Sequence, residues 1–268
     1  MIAEIPLSGT MADPFAAPTP KVERGEVLCV EVDLGQDEER WWELAAPRIT
    51  AGEAARTRRF YRRRDAIRHA VGRALIRTML ARQLGRPAVD NELATNAFGK
   101  PALPASDLEF SISHSGDQIW VALSCAGAVG IDVERINDAA DHCGLADVFH
   151  PEECLEIRAS TPRDARDAFY RGWTRNEAVV KALGLGLSLP LSDFRVLTGT
   201  AVSGWLVEPP STAPDGWSCF DLPHTAGYHA SVAVTSPDVA ITAHRLALRG
   251  TRTVFGWNQQ HGTWHSNK

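Results

Sequence analysis

No apolar run in this chain approaches the length of a membrane-spanning helix, and the N-terminus lacks the charged-then-apolar pattern of a secretory signal. Cysteine is sparse. The five present (Cys29, Cys125, Cys143, Cys154 and Cys219) are scattered, odd in number and without a C-x-x-C pair. That excludes a disulfide framework and a zinc site, and suits reduced thiols in a cytoplasm. Strong charge of one sign is missing too, since a net charge of -5 argues against bulk nucleic-acid binding. What is there is ordinary for a globular protein: 44% hydrophobic and 23% charged residues over 268 positions, enough for one large domain or two small ones. A cytoplasmic, membrane-free protein is expected.

The charge is unevenly spread. Between Arg56 and Arg82 stand ten arginines and a single acid, Asp65. Such a surface suits a small polyanion or an acidic partner protein. Two other readings compete. One is a solvated helix face, which composition alone favours for Arg62, Arg64, Arg68, Arg73 and Arg77. The other is a nucleic-acid surface, which salt-dependent retention would reveal and which the negative net charge opposes.

Pattern and punctuation divide the chain. Residues 1–25 hold Pro6, Pro14, Pro18 and Pro20 among small residues and read as a loose leader. A strand follows over 26–32, then a short helix over 38–44. Thr50 and Glu53 form a capping-box signal. The apolar stripe Ile67, Val71, Leu75 and Met79 predicts a helix over 65–84, ended by Gly85. Strands over 108–113, 118–124 and 128–134 read as a small antiparallel meander. Helices open at Pro151 and Pro162, the second running to about Leu183. Five strands between 193 and 246 suggest a second meander, and residues 249–268 a loose tail with two isolated tryptophans. The class is α+β, with an N-terminal half over 26–128 and a C-terminal half over 129–248.

Two stretches carry chemistry. In the strand Gly130-Ile131-Asp132-Val133-Glu134, alternation puts Asp132 and Glu134 on one side and the apolar residues on the other. In the helix Trp173-Thr174-Arg175-Asn176-Glu177-Ala178-Val179-Val180-Lys181, a spacing of four lines up Trp173, Glu177 and Lys181. Trp173 reads as a core residue that seats the helix. If strand and helix pack, three carboxylates and an ammonium converge. Such a cluster needs a cation, and an all-oxygen set suits Mg²⁺, which binds through a few carboxylates plus substrate phosphates. On composition alone the same acids could be surface groups. A Mg²⁺-dependent nucleotide phosphohydrolase could also use them.

These stretches, together with Phe98-Gly99-Lys100-Pro101, Ser111-Ile112-Ser113-His114-Ser115-Gly116 and Phe149-His150-Pro151-Glu152-Glu153, resemble the motifs of the surfactin-type (Sfp-type) 4′-phosphopantetheinyl transferases, in order and separation. The likeness runs from about Arg56 to Leu191. It implies two similar α+β halves related by a pseudo-twofold, each a small antiparallel sheet packed with helices. It implies a monomer that moves the phosphopantetheine arm of coenzyme A onto a serine of an apo acyl carrier or peptidyl carrier protein and releases 3′,5′-ADP.

The resemblance also implies roles. Asp132, Glu134 and Glu177 would hold Mg²⁺. Lys181 would stabilise the leaving phosphate and contact coenzyme A. Glu177 or Glu153, directly or through water, would take the serine proton. Arg56 and His114 would hold the 3′-phosphate. Arg68, Lys100 and Pro101 would line the nucleotide pocket, with Ser113 nearby. Three positions depart from the family pattern. Asn176 replaces the usual Lys, Glu53 stands at a usually basic position, and His69 at one that can carry a small hydroxyl residue. Asn176 prompts a further alternative, a weakened or non-catalytic coenzyme A binder.

Overall fold

The computed structural model describes residues 5–6, 13–16, 19–85, 93–248, 251–258 and 262–267. The first half runs through β1 (Ile5–Pro6), β2 (Glu26–Asp33), α1 (Glu38–Ala45), α2 (Ala51–Thr57), α3 (Arg63–Leu84), β3 (Ala94–Thr95), β4 (Pro101–Ala102), β5 (Glu109–Ser115) and β6 (Gln118–Ser124). The second begins at β7 (Val129–Arg135), α4 (His142–Leu145), α5 (Pro151–Ala159) and α6 (Pro162–Leu183). It continues through β8 (Arg195–Val196), β9 (Leu206–Glu208), β10 (Ser218–Asp221), β11 (Tyr228–Val234), β12 (Ala240–Leu246), β13 (Thr251–Asn258) and β14 (Thr263–Asn267).

The class is α+β. A seven-stranded sheet has the order β1-β13-β12-β2-β6-β5, with β14 on β13, and a three-stranded sheet has the order β10-β11-β7. The halves echo each other. Each has a 22-residue helix, α3 or α6, that ends in a left-handed glycine, Gly85 or Gly184. They also share a sheet, because β12 pairs parallel with β2 while β6 pairs antiparallel on its other side.

Alternation along β2 feeds two cores. Leu28, Val30 and Val32 meet Ile67, Val71 and Leu75 of α3, the predicted stripe. Val27 and Cys29 meet Val129, Ile131 and Val133 of β7. Each buried aliphatic side chain contributes about 1.5–3 kcal/mol. The Thr50–Glu53 capping box forms as expected, with Thr50 Oγ1 accepting from Glu53 N at 3.2 Å and Glu53 Oε2 accepting from Thr50 N at 3.0 Å.

Four features differ from the sequence reading. Described residues of the leader are packed, not loose. Phe15 is buried edge-on against Trp41, with ring centroids 5.9 Å apart, and the Gln83 amide brackets the Val22 backbone at 2.8 and 3.0 Å. Single apolar residues among prolines carry no period, so this packing leaves no trace in the pattern. The C-terminal segment is a hairpin, not a tail. Its tryptophans, Trp257 and Trp264, sit opposite each other with ring centroids 5.5 Å apart. β7 is not the third strand of a meander, because its ladder partner is β11. The helix arginines are not all solvated: the Arg68, Arg73 and Arg77 side chains are 15%, 13% and 3% exposed. Each of these three has an acid within 4 Å.

Candidate active site

Helix α6 lies directly on β7, and Gly130 permits it. A Cβ at Gly130 would stand 2.0 Å from Ala178 O and 2.3 Å from Ala182 N, inside the helix backbone. The helix is fixed at both ends. Thr161 caps its start, with Pro162 in the first turn. At its end the left-handed Gly184 presents its carbonyl to Asn96 Nδ2 at 2.8 Å. This close contact sets Glu177 and Lys181 beside Asp132.

A cavity of about 450 Å³ opens there, lined by Arg68, His69, Arg73, Ser113, His114, Asp132, Glu134, Trp173, Glu177 and Lys181, among others. Lys181 Nζ donates to Asp132 Oδ1 at 2.5 Å and to Ser113 Oγ at 3.0 Å. The β5 serines bind the edge of β7. Ser111, Ser113 and Ser115 Oγ accept from the backbone N–H of Ile131, Val133 and Arg135 at 3.2, 3.3 and 3.1 Å. Two of the three also hold an acid: Ser113 donates to Asp132 Oδ1 at 2.7 Å and Ser115 to Glu134 Oε2 at 2.6 Å. The hydroxyls thus replace a main-chain ladder and aim the carboxylates.

The acids are crowded. Burial, then the Asp132 charge, pushes the Glu134 carboxyl up to about 7 and also raises Glu177. Asp132 Oδ2 is buried with no partner. A crowded anionic cluster with one lysine and an orphaned oxygen fits a bound divalent cation. Among the described residues, no group of three or more His, Cys, Asp and Glu side chains is arranged to hold a metal ion by itself. Mg²⁺ seldom needs such a cage, because it completes its shell with water and substrate phosphate.

The opposite wall is basic. His114 lies at its exposed edge, and Arg68 pairs with Asp65. His69 and Arg73 complete it. Burial, then the charge of Arg73, pushes the His69 imidazole down to about 4. Arg56 is exposed and lines a separate recess with Gly52, Ala55, Arg59 and Phe60. Its charge still reaches His69 and Arg73. Glu53 is held at a fork by Arg77, through Nε at 2.7 Å and Nη2 at 3.1 Å.

A second cavity of about 720 Å³ adjoins the first through Pro101, Ile112, Trp173, Glu177 and Lys181. Its rim carries the exposed Phe98, Val148 and Leu187. Lys100 lines it but spends its ammonium on structure. Nζ donates to Val129 O at 3.1 Å and Ala182 O at 3.2 Å, tying the β3–β4 turn to β7 and α6.

Glu153 is not brought to the cavity. It is fully buried, accepting from Val196 N and Asn176 Nδ2, both at 2.8 Å, and burial pushes its carboxyl up to about 7. Asn176 faces Glu153 rather than the acids. Arg175 does not stand in for the missing lysine. It is fully buried and fastens Asp221 to the carbonyls of Leu197, Gly199 and Ala201. Trp173 is only half-buried. It packs on Phe149 and Phe169 and also walls both cavities. Sequence reasoning gave no role to Ser111, Ser115 or Arg73. Their signals were a serine at every second position of a strand and an i, i+4 row of His69, Arg73 and Arg77.

Two α+β halves thus meet at a cavity of about 450 Å³ lined by both basic and acidic side chains, a lining suited to an anionic ligand held with a cation. Comparison with known proteins makes this specific. The family model of the 4′-phosphopantetheinyl transferase superfamily matches residues 128–233, and that of the 4′-phosphopantetheinyl transferase N-terminal region matches residues 36–126. The 4′-phosphopantetheinyl transferase Sfp of Bacillus subtilis is 30% identical over 207 residues, covering 76% of this chain and 89% of the relative. The 4′-phosphopantetheinyl transferase HetI of Nostoc sp. is 32% identical over 217 residues, covering 78% and 87%. A further Bacillus subtilis 4′-phosphopantetheinyl transferase is 36% identical over 153 residues, covering 55% and 66%. The chain belongs to the 4′-phosphopantetheinyl transferases, enzymes that transfer the phosphopantetheine arm of coenzyme A to a carrier protein.

Proposed function

We propose that this enzyme acts as a cytoplasmic monomer on an apo acyl carrier or peptidyl carrier protein, and that the cavity between α3, β7 and α6 is where the transfer takes place. The observation that carries the reading is that Arg68, His69 and Arg73 of α3 line one cavity together with Asp132 and Glu134 of β7 and Glu177 of α6. Coenzyme A has a phosphate monoester and a pyrophosphate, and so needs two anion sites a short span apart. In this reading the monoester lies toward the basic wall and the pyrophosphate toward Lys181.

Asp132, Glu134 and Glu177 would hold Mg²⁺, whose chemistry is to neutralise charge on the pyrophosphate oxygens. The chain's own residues position the reaction. Ser113 and Ser115 fix two of the carboxylates, and Lys181 meets the leaving phosphate. Phosphoryl transfer relies on such positioning and charge neutralisation rather than on covalent catalysis. The carrier serine oxygen forms a bond to the β-phosphorus, the bond from that phosphorus to the bridging oxygen breaks, and 3′,5′-ADP leaves. Glu177 takes the serine proton, directly or through water. Glu153, fully buried, supports Asn176 and Val196 of β8 instead. The carrier docks on the apolar rim formed by Phe98, Val148 and Leu187, which opens beside Glu177.

The test is the intact mass of an apo carrier protein after incubation with coenzyme A and Mg²⁺. Gain of one phosphopantetheine arm, lost with chelator and with Asp132→Ala, supports the reading. Release of phosphate from coenzyme A without mass gain would favour a phosphohydrolase. Coenzyme A binding with no turnover on several carrier types would favour a binder.

A further inference from the structure

We propose that Arg73, which lies outside the motif stretches quoted above, is a ligand of the 3′-phosphate monoester of coenzyme A and restores the positive charge that Glu53 subtracts from that site. The assignment rests on the coenzyme A reading of the cavity.

Glu53 comes first. An acid near an anion site repels the ligand unless it is neutralised. Its two oxygens are already taken: Oε2 accepts from Arg77 Nε at 2.7 Å and Thr50 N at 3.0 Å, and Oε1 from Arg77 Nη2 at 3.1 Å. Arg77 and Glu53 therefore cancel as a bidentate pair. Arg73 stands one turn before Arg77. Its Nε is 3.8 Å from Glu53 Oε1, too far for a hydrogen bond. One Glu53 charge thus faces two guanidiniums, which leaves a net positive charge, and Arg73, without a hydrogen bond to Glu53, carries it on a side chain 13% exposed that lines the cavity. A cation drawn out of water in this way is stabilised by an anion, and a guanidinium matches phosphate geometry.

His69 points to the same place independently. It lies one turn before Arg73 and lines the same cavity. Thr57 Oγ1 gives its only proton to Glu53 O at 2.8 Å, so it must accept from His69 Nδ1, which stands 3.2 Å away. His69 Nε2 is then buried with no partner. A phosphate monoester supplies one, either through its own hydroxyl or by drawing a proton onto Nε2. Arg73 and His69 would thus grip two sides of one phosphate. Arg56, exposed and lining a separate recess, adds field rather than a contact in the cavity.

The experiment measures binding of coenzyme A and of 3′-dephospho-coenzyme A by calorimetry, in parallel, to wild type, Arg73→Gln and Arg73→Lys. Wild type is expected to prefer coenzyme A. Arg73→Gln should weaken coenzyme A roughly 10- to 100-fold, the loss of a hydrogen bond to a charged group. It should leave the dephospho compound unchanged, and Arg73→Lys should recover part of the loss. The dephospho arm reports on folding, since a variant that is merely misshapen loses both ligands. Equal weakening of both, or of neither, would overturn the assignment to Arg73 alone. Failure of wild type to bind either compound would overturn the coenzyme A reading, and this assignment with it.

Discussion

Ser113 Oγ donates to Asp132 Oδ1 at 2.7 Å while it accepts from the backbone of the next residue, Val133, at 3.3 Å. One hydroxyl thus joins two sheets and orients an acid of the site. Ser115 repeats the arrangement on Glu134 and Arg135. The two serines should differ when removed. Ser113→Ala strands the N–H of Val133 in the interior and should cost about 1–3 kcal/mol of stability. Ser115→Ala leaves the N–H of the exposed Arg135 to water, so stability should change by less than about 0.5 kcal/mol. What Ser115→Ala loses is the aim of Glu134. The Mg²⁺ concentration for half-maximal carrier modification should rise roughly tenfold, the worth of one charge-assisted hydrogen bond. Urea denaturation and a Mg²⁺ titration check both arms. An unchanged titration in Ser115→Ala would remove the positioning role.

Gly130 is required because backbone, not side chain, occupies the space its Cβ would take. Gly130→Ala must push α6 off β7, which moves Glu177 and Lys181 away from Asp132 together. The expected cost is about 3 kcal/mol or more, at the upper end for overpacking, with loss of carrier modification. Circular dichroism melts would show it. A variant as stable and as active as wild type would mean the helix sits less tightly than the structure shows.

Glu153 gives a pH signature. Burial raises its carboxyl to about 7 in the folded protein from an ordinary 4.5. Between those values the folded state binds more protons than the unfolded one, so this group's contribution to stability falls as pH rises from about 4.5 to 7. The span is worth about 3 kcal/mol for a fully buried group. Glu153→Gln has no proton to lose. The stability difference, wild type minus variant, should therefore shrink by about that amount from pH 4.5 to pH 8. Asn176→Lys should flatten the same slope by pairing the charge. Urea midpoints across pH test both, and a parallel pH dependence in wild type and Glu153→Gln would contradict the buried, unpaired carboxylate.

How much of this was legible beforehand depends on which rule each residue obeyed. Asp132 and Glu134 share a face because strands alternate, and Glu177 and Lys181 share one because helices repeat every 3.6 residues. Both facts are local, and both were readable. Helix α3 and its stripe were readable for the same reason. The partner of β7 was not. A strand's neighbour is set by long-range burial, and the short connection from β6 suggested a hairpin ladder, whereas the serines of β5 hold β7 through side chains. Arg73 and Arg77 looked like solvent-facing charge because a helix pattern cannot show that Glu53 of α2 lies against them. Trp257 and Trp264 looked isolated because a hairpin pair is invisible until the turn is placed. Glu153 stands within a recognisable motif, and its complete burial was not readable from that motif.

Leu187 tests the docking rim. It follows Gly186 at the mouth of the larger cavity and is fully exposed, with Phe98 and Val148 also exposed on the same rim. An exposed leucine adds nothing to the core, so Leu187→Asp should leave the melting temperature nearly unchanged, within about 0.5 kcal/mol of stability. If the carrier covers this rim, the same change places a carboxylate against an apolar face and leaves it dry. The KM for the carrier should rise about tenfold or more, the usual cost of losing a central apolar contact. The KM for coenzyme A should hold, because Leu187 does not line the cavity shared by the acids and Arg73. Steady-state kinetics with each substrate varied in turn separates the two. A rise in both would place Leu187 on the coenzyme A path. A rise in neither would mean that the carrier approaches from another side, and the docking surface would then have to be sought around Leu145 and Leu155, the exposed leucines before and within α5.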